Sequence, residues 1–564
     1  DADQVRGRDA GDSTAVIARA LAAACEEERG EGIENGYEEI EALQKPRAGA
    51  GLKRDVRGQD PKRRDGAQPV QLREHREHRE HRGRVGLSVS LSDVVSIRAV
   101  VGVDAGLKAY GALLVLAVTW PFLVPAGVGE AFALRDMLVF DQMALTRASL
   151  GYGDLAARNV PQDALLGIVP WPMLALRMIM VGAAIAAAVS AYRLGRSSLG
   201  KAAAMTVLLW NPFVIERLLQ GHWSLVAAAW LLPAVALAPP AQATLAHWLA
   251  SLTPTGAIAA ATFARGWRGI LTTALTCAPW VVAGLLTPAS ATSSAASAAL
   301  FAPRAETFVG TLGALLGLGG IWNADAVPES RNLGFALFGI GLFAILALGW
   351  RAVNTRWLVL AGIGFAIALA SWAGLLAPLI ETVPGAGLLR DSQKWLILTL
   401  PACTAAAGAL TPKLAGTALL MALLQVPDAP LALRALTPTA IEFPAIDHRG
   451  RDVFFVDRPA LIDIGGRVVV DPAPKVMNAV ESGLLLVDGT VADPPSPRWL
   501  AAQRAQNDLE ALKSLGIGVV VYPDGDLRET GAEQRGLPPL GIALFALWCA
   551  APLFCVTRIT LRKC

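Results

Sequence analysis

AFALRDMLVFDQMALTRASLGYGDLAARNVP (residues 131–161) follows the first apolar run of membrane length and precedes the second. It carries Arg135, Asp136, Asp141, Arg147, Asp154 and Arg158, with Asp163 just beyond. Ionisable residues crowded between two spans are costly to place and usually mark a site. The loop therefore sets both the architecture and the search for function.

Composition assigns the class. Of 564 residues, 54% are apolar and only 17% charged, against about 25% charged in a soluble chain. This is the balance of an integral membrane protein. The net charge of +3 hides a strong asymmetry, because charge concentrates in the first hundred residues and in one late segment. Six cysteines lack CxxC spacing, and no disulfide framework or zinc site is suggested. Residues 1–98 are rich in Arg, Glu, Asp and Gly, with an Arg-Glu-His register over 73–81. Such a composition cannot bury a core and is expected to be disordered. The first Met is Met137, so much of residues 1–90 reads as an upstream extension from a misassigned start.

A bilayer core needs about 20 apolar residues per helix. Runs at 108–125, 173–192, 200–216, 221–238, 269–286, 333–350, 357–377, 394–410, 414–427 and 538–556 qualify. The stretch 241–263, broken by Pro254 and Gly256, reads as a re-entrant hairpin. The expected fold is mainly α, a polytopic bundle of about 10–12 spans. Its parts are a core over 99–427 with the loop 129–171, a small extracytoplasmic α/β domain over 428–536, and a last span with a basic tail over 537–564. The α/β reading rests on the β-branched runs VFFV, GRVVVD and IGVVVYPDG and the helix pattern AAQRAQNDLEALKSLG. Arg193, Arg196, Lys201, Arg265, Arg268, Arg351, Arg356, Lys413 and Arg558 fall on one side if 241–263 returns to the side it left. The positive-inside rule makes that side cytoplasmic, with both termini. Every large polar segment then faces outward, at the plasma membrane surface.

Three clusters stand out. RDMLVFDQMAL is amphipathic and reads as an interfacial helix, with Asp136 and Asp141 on different faces. WNPFVIERLLQGHW places Glu216, Arg217 and His222 in a short outer turn, where Glu216 and Arg217 can pair and His222 can meet a ligand. GLLRDSQKW packs Arg390, Asp391 and Lys394 before a span, two cations around an acid, which suits a phosphate headgroup. Solvated surface residues and lipid anchors are the competing readings. Asp154 and Asp163 read as turn and helix-start residues.

In this order the clusters resemble the GT-C superfamily of polytopic glycosyltransferases, and more closely an actinobacterial group of membrane proteins. The shared segments are RDM…ALT…VPQD, WNPFVIERLLQGHW, LTPTG and LLRDSQKW, and the likeness covers residues 105–560. The resemblance implies transfer of a sugar from a polyprenyl-phosphate donor to an extracytoplasmic cell-envelope glycan or lipid, in cell wall biogenesis. It implies Asp136, or else Asp141, as general base. Arg390 and Lys394 would receive the lipid phosphate, with Asp391 orienting them, and Arg135, Glu216, Arg217 and His222 would line the substrate cleft. The chain lacks the tight DxD or DE pair of the familiar pattern, so no cofactor is expected and a divalent metal is in doubt. Membrane lipids are the other partner, and nucleic acid is not one. The alternatives are a lipid-linked glycan flippase, which should show repeated halves, and a non-catalytic envelope assembly protein.

Overall fold

A computed structural model describes residues 91–286 and 293–556, apart from 442, 444, 445 and 488, with side chains from 104 to 553. The Arg-Glu-His register and nearly all of the expected disordered segment lie outside the described residues. The fold is mainly helical. Six helices are long and apolar enough to cross a membrane: Asp104–Leu123, Pro172–Leu194, Ser198–Leu219, Gly266–Leu286, Thr355–Trp372 and Pro412–Leu436. Three shorter apolar helices, Trp223–Leu237, Ala336–Ala352 and Pro539–Leu553, complete the bundle.

Fewer full-length helices form than the runs predict, because several runs are broken. The run 394–410 begins as a 3-10 segment, Ser392–Thr399, and becomes α-helical only at Leu400–Ala409. The stretch 241–263 forms two helices, Pro240–Ala250 and Pro254–Phe263, separated at 251–253. Each is about 15–17 Å long at 1.5 Å per residue, half of a bilayer core. Ala238 and Pro240 at its entry share one cavity wall with Ala264–Gly269 at its exit, so the hairpin returns to the end it left. Irregular backbone at this depth is tolerated when protein covers it. Here Trp230 and Trp548 are fully buried beside it, and Trp248 donates to the Trp548 carbonyl at 2.9 Å.

The bundle has two chemically distinct ends. At one, Arg196 N–H donates to Gly408 O at 2.9 Å and Arg356 to Ala264 O at 3.3 Å. Arg193, Arg265, Arg268 and Arg351 flank these contacts. At the other end lie residues 124–171, the turn at 220–222, residues 387–395 and the late segment.

The first loop departs from the expected interfacial helix. Glu130–Leu134 and Met137–Val139 are antiparallel strands, with Arg135 at φ 51° in the turn between them. AFAL and MLV are buried on both faces, a strand pattern more than an amphipathic one. Glu130–Leu134 also pairs with Thr439–Ala440. Arg135 then bridges to the hairpin Leu461–Ile464/Arg467–Val470 through Arg135 N–H to Val468 O, 2.8 Å, and Val470 N–H to Arg135 O, 2.9 Å.

The late segment contains parallel strands Val453–Phe455 and Val519–Val521, with Leu527–Glu529 antiparallel at the edge. Helices Pro497–Arg504 and Leu509–Ser514 lead into Val519–Val521. It does not separate from the bundle: residues 88–564 cluster as one compact unit. Buried ion pairs tie it to the first loop. Asp452, fully buried, receives Arg147 and, at 2.7 Å, Arg498. Lys475 reaches Asp163 at 2.8 Å, and Asp163 lies in the first turn of Gln162–Ile168, the helix-start position the sequence suggests.

Asp452→Ala removes the carboxylate shared by Arg147, Arg498 and, at 3.6 Å, Arg535, and removing one partner of a buried pair costs about 3–5 kcal/mol. Limited proteolysis of the purified variant should therefore cut within 437–536 before the helices, whereas Asp452→Asn should be cut more slowly. Equal cutting rates in variant and parent would contradict this packing.

Candidate functional site

The helix Pro212–Leu219 starts where Pro212 takes the first position and Asn211 accepts Val214 N–H at 3.0 Å. Its last turn aims Glu216 and Arg217 into the protein, both fully buried. The expected pairing of these two neighbours does not form, because consecutive helical residues diverge by about 100°. They are not in the turn and line no open cleft.

Arg217 instead grips Asp391 with both terminal nitrogens, at 2.5 and 2.8 Å. Its Nε donates to Gln393 Oε1 at 2.9 Å. Its NH1 also lies 3.1 Å from His222 Nδ1. A guanidinium has no acceptor, so Nδ1 must accept and the imidazole proton sits on Nε2. That Nε2–H meets Asp136 Oδ2 at 3.0 Å. Gln220 donates to the same Oδ2 at 2.9 Å, while its own Oε1 accepts from Asn323 at 2.8 Å. The result is a continuous relay from Asp391 through Arg217 and His222 to Asp136.

Gly221 makes this possible. Its φ is +90°, and a Cβ there would stand 2.3 Å from Met137 N and 2.6 Å from Leu134 O. The turn thus presses on the first-loop hairpin, where Asp136 N–H donates to Gln220 O at 3.2 Å. Arg135 clamps the same junction, donating to Leu219 O at 2.6 Å and Asp325 O at 2.7 Å. Its role is to hold the site, and its guanidinium faces carbonyls instead of a cleft.

Asp136 stays half-exposed. Both of its bonds fall on Oδ2, and among the described residues nothing bonds Oδ1. Partial burial pushes its carboxyl up, but the hydrogen bonds from His222 and Gln220 and the Arg158 charge outweigh this and leave it below the ordinary carboxylate range. Burial also raises Asp391, and the Arg217 charge and bonds, with the Lys394 charge, bring it down to about 2. Asp141 is not brought in: it is exposed beyond the strand and its charge is felt by Arg177.

Arg390 does not stand open to a ligand either. It donates to Ser297 Oγ at 3.0 Å, lies 4.4 Å from the centre of the Phe301 ring, and is held by both oxygens of Asp493. Asp493 also receives Arg158 at 3.0 Å. Neither Arg158 nor Asp493 gains a role from the sequence alone; Arg158 sits in the polar first loop, and nothing in a late-segment aspartate announces its partners. Lys394 differs from the rest. It has no hydrogen bond or ion pair among the described residues, and it lies in Ser392–Thr399, outside the six spanning-length helices. Burial pushes its ammonium down; Asp391 raises it, Arg217, Arg390 and Arg158 lower it, and it rests at about 8.

Beneath the relay lies a second buried network. Ile321 N–H donates to Glu216 Oε2 at 3.0 Å, Gly320 N–H to Glu306 Oε1 at 3.0 Å, and Arg331, fully buried, pairs with Glu306. Among the described residues no three His, Cys, Asp or Glu side chains gather to hold a metal ion. The arrangement leaves one oxygen of a half-exposed carboxylate without a hydrogen-bond partner and, at the Asp391 end of the relay, an uncommitted ammonium that feels the charges of Arg217, Arg390 and Arg158. It suits taking a proton and receiving an anion.

No protein-family model matches the chain, and no curated protein or solved structure is significantly similar to it.

The close approach at Gly221 is testable against Gly374, which has φ +74° but where an added Cβ would meet nothing within 4 Å. Both alanine variants meet backbone strain, and only Gly221→Ala meets a wall. Its thermal unfolding in detergent should fall further, by more than about 1 kcal/mol. Equal losses would mean the turn does not press on the hairpin.

Proposed function

We propose that the protein is a membrane glycosyltransferase of the GT-C type, moving a sugar from a polyprenyl-phosphate donor to a cell-envelope glycan or lipid on the extracytoplasmic side. The observation that carries this reading is the meeting of Asp136, His222, Arg217, Asp391 and Lys394 from three distant segments. The acceptor hydroxyl approaches Asp136 Oδ1, which takes its proton as the oxygen attacks the anomeric carbon. The bond from that carbon to the phosphate oxygen breaks in line, so the linkage inverts. The departing lipid phosphate takes the electron pair and settles against Lys394 and Arg158, whose charge lowers the barrier to its leaving.

His222 is a positioning residue here. Both ring nitrogens are engaged, so it fixes Asp136 rather than taking the proton itself. Arg390 and Asp391 likewise act through others, Arg390 by holding Asp493 beside Arg158. The basic end of the bundle faces the cytoplasm in this reading, in keeping with the charge rule. The late segment then forms an outer α/β cover over the first loop and supplies Asp493 to the site.

Purified variants assayed for release of polyprenyl phosphate test the proposal. Asp136→Asn should lose about 10²–10⁴ in rate while keeping its thermal stability. Lys394→Met should lose roughly 10²–10³. The parent rate should decline as pH rises through about 8, where the Lys394 ammonium discharges, and Lys394→Arg should shift that decline upward. Full activity in Asp136→Asn, or an alkaline limb unmoved by Lys394→Arg, would sink this assignment.

A further inference from the structure

At the opposite, basic end a cavity of about 350 Å³ lies between the helical hairpin and the start of Gly266–Leu286. Val235, Ala238, Ala243 and Trp267 give it an apolar wall, and Arg265, Arg268 and His247 are also on its lining. Gly266–Leu286 is a 21-residue helix whose first-turn N–H groups and positive dipole end open at this cavity. His247 adds an independent signal. It is 1% exposed, and its Nε2 has no hydrogen-bond partner. A buried imidazole nitrogen left unpaired is costly unless a ligand supplies the partner. Neither Arg265 nor Arg268 takes part in an ion pair among the described residues. Arg268 lies over the Trp267 ring at 5.6 Å.

The surroundings identify the ligand. Trp267 on the lining is exposed, and so are Leu245, Ile270 and Leu271, which neighbour the lining residues Thr244, Gly269 and Thr272 in the chain, with Ile270 73% exposed. A soluble anion would have no use for that apolar apron, whereas acyl chains would cover it. We propose that this cavity is a binding site for an anionic phospholipid. The phosphate diester sits at the helix N-terminus between Arg265 and Arg268 and accepts from His247 Nε2, and the acyl chains lie on Ile270, Leu271 and Leu245. The site is separate from the Asp136 relay and does not rest on the transferase reading. Basic pockets between membrane helices bind such headgroups through the same chemistry.

The test uses the full chain in neutral detergent, with phosphatidylglycerol, phosphatidylcholine or inorganic phosphate added, read by native mass spectrometry and thermal unfolding. Phosphatidylglycerol should be retained over phosphatidylcholine, and each arginine removed should cost about fivefold in that preference. Arg265→Gln with Arg268→Gln should abolish the preference while leaving thermal unfolding in lipid-free detergent unchanged. His247→Gln should weaken retention of both lipids, since both carry a phosphate diester. Equal retention of the two lipids by the parent, or a preference that survives the double variant, would overturn the proposal. Stabilisation by inorganic phosphate at millimolar concentration equal to that by phosphatidylglycerol would also overturn it, because the occupant would then be a soluble anion.

Discussion

The guanidinium of Arg217 is the interaction on which the site depends. It is fully buried, and its donors reach Asp391, Gln393 and His222. Removing a charge of this kind from water costs several kcal/mol unless it is paired and fully hydrogen-bonded. The bidentate clasp on Asp391 supplies the charge, and Gln393 and His222 take the remaining donors. Because these partners come from residues 174 to 176 positions away or from the next turn, satisfying one side chain fixes three segments in register. The His222 tautomer follows from the same geometry, and with it the hydrogen bond that orients Asp136.

Two supports surround this centre. Gly221 lets the turn lie against the first-loop hairpin with no side chain between them, and Arg135 bonds carbonyls on both sides of the junction. From the other flank Asp493 gathers Arg390 and Arg158. The late segment is therefore part of the site's construction. Its buried pairs to Arg147 and Asp163 make its separation from the bundle energetically costly.

Much of the helical plan was legible in the sequence because apolar length is a direct reading of what a bilayer requires. The break was legible from Pro254 and Gly256, and the return of that hairpin to its own end from the basic residues that fall on one side only if it does so. The first loop was not. RDMLVFDQMAL has helical amphipathicity when read alone, yet its strands are set by partners at 439–440 and 467–470 that only tertiary structure supplies. The residues of the relay were legible as three costly polar clusters, and Asp136, Arg217, His222, Asp391 and Lys394 were all among them. Their roles were less so. Glu216 and Arg217 read as a pair, though helical geometry sends them to different partners. Arg390 read as a phosphate ligand, though Asp493 holds it, and that contact spans 103 residues with no local signal.

A structure of the full chain bound to a polyprenyl phosphate tests the central claim most directly. The phosphate oxygens should lie within about 3 Å of Lys394 Nζ and the Arg158 guanidinium, with Asp136 Oδ1 opening onto the space beside it. A phosphate bound at another surface, with Lys394 and Asp136 Oδ1 still facing solvent, would contradict it.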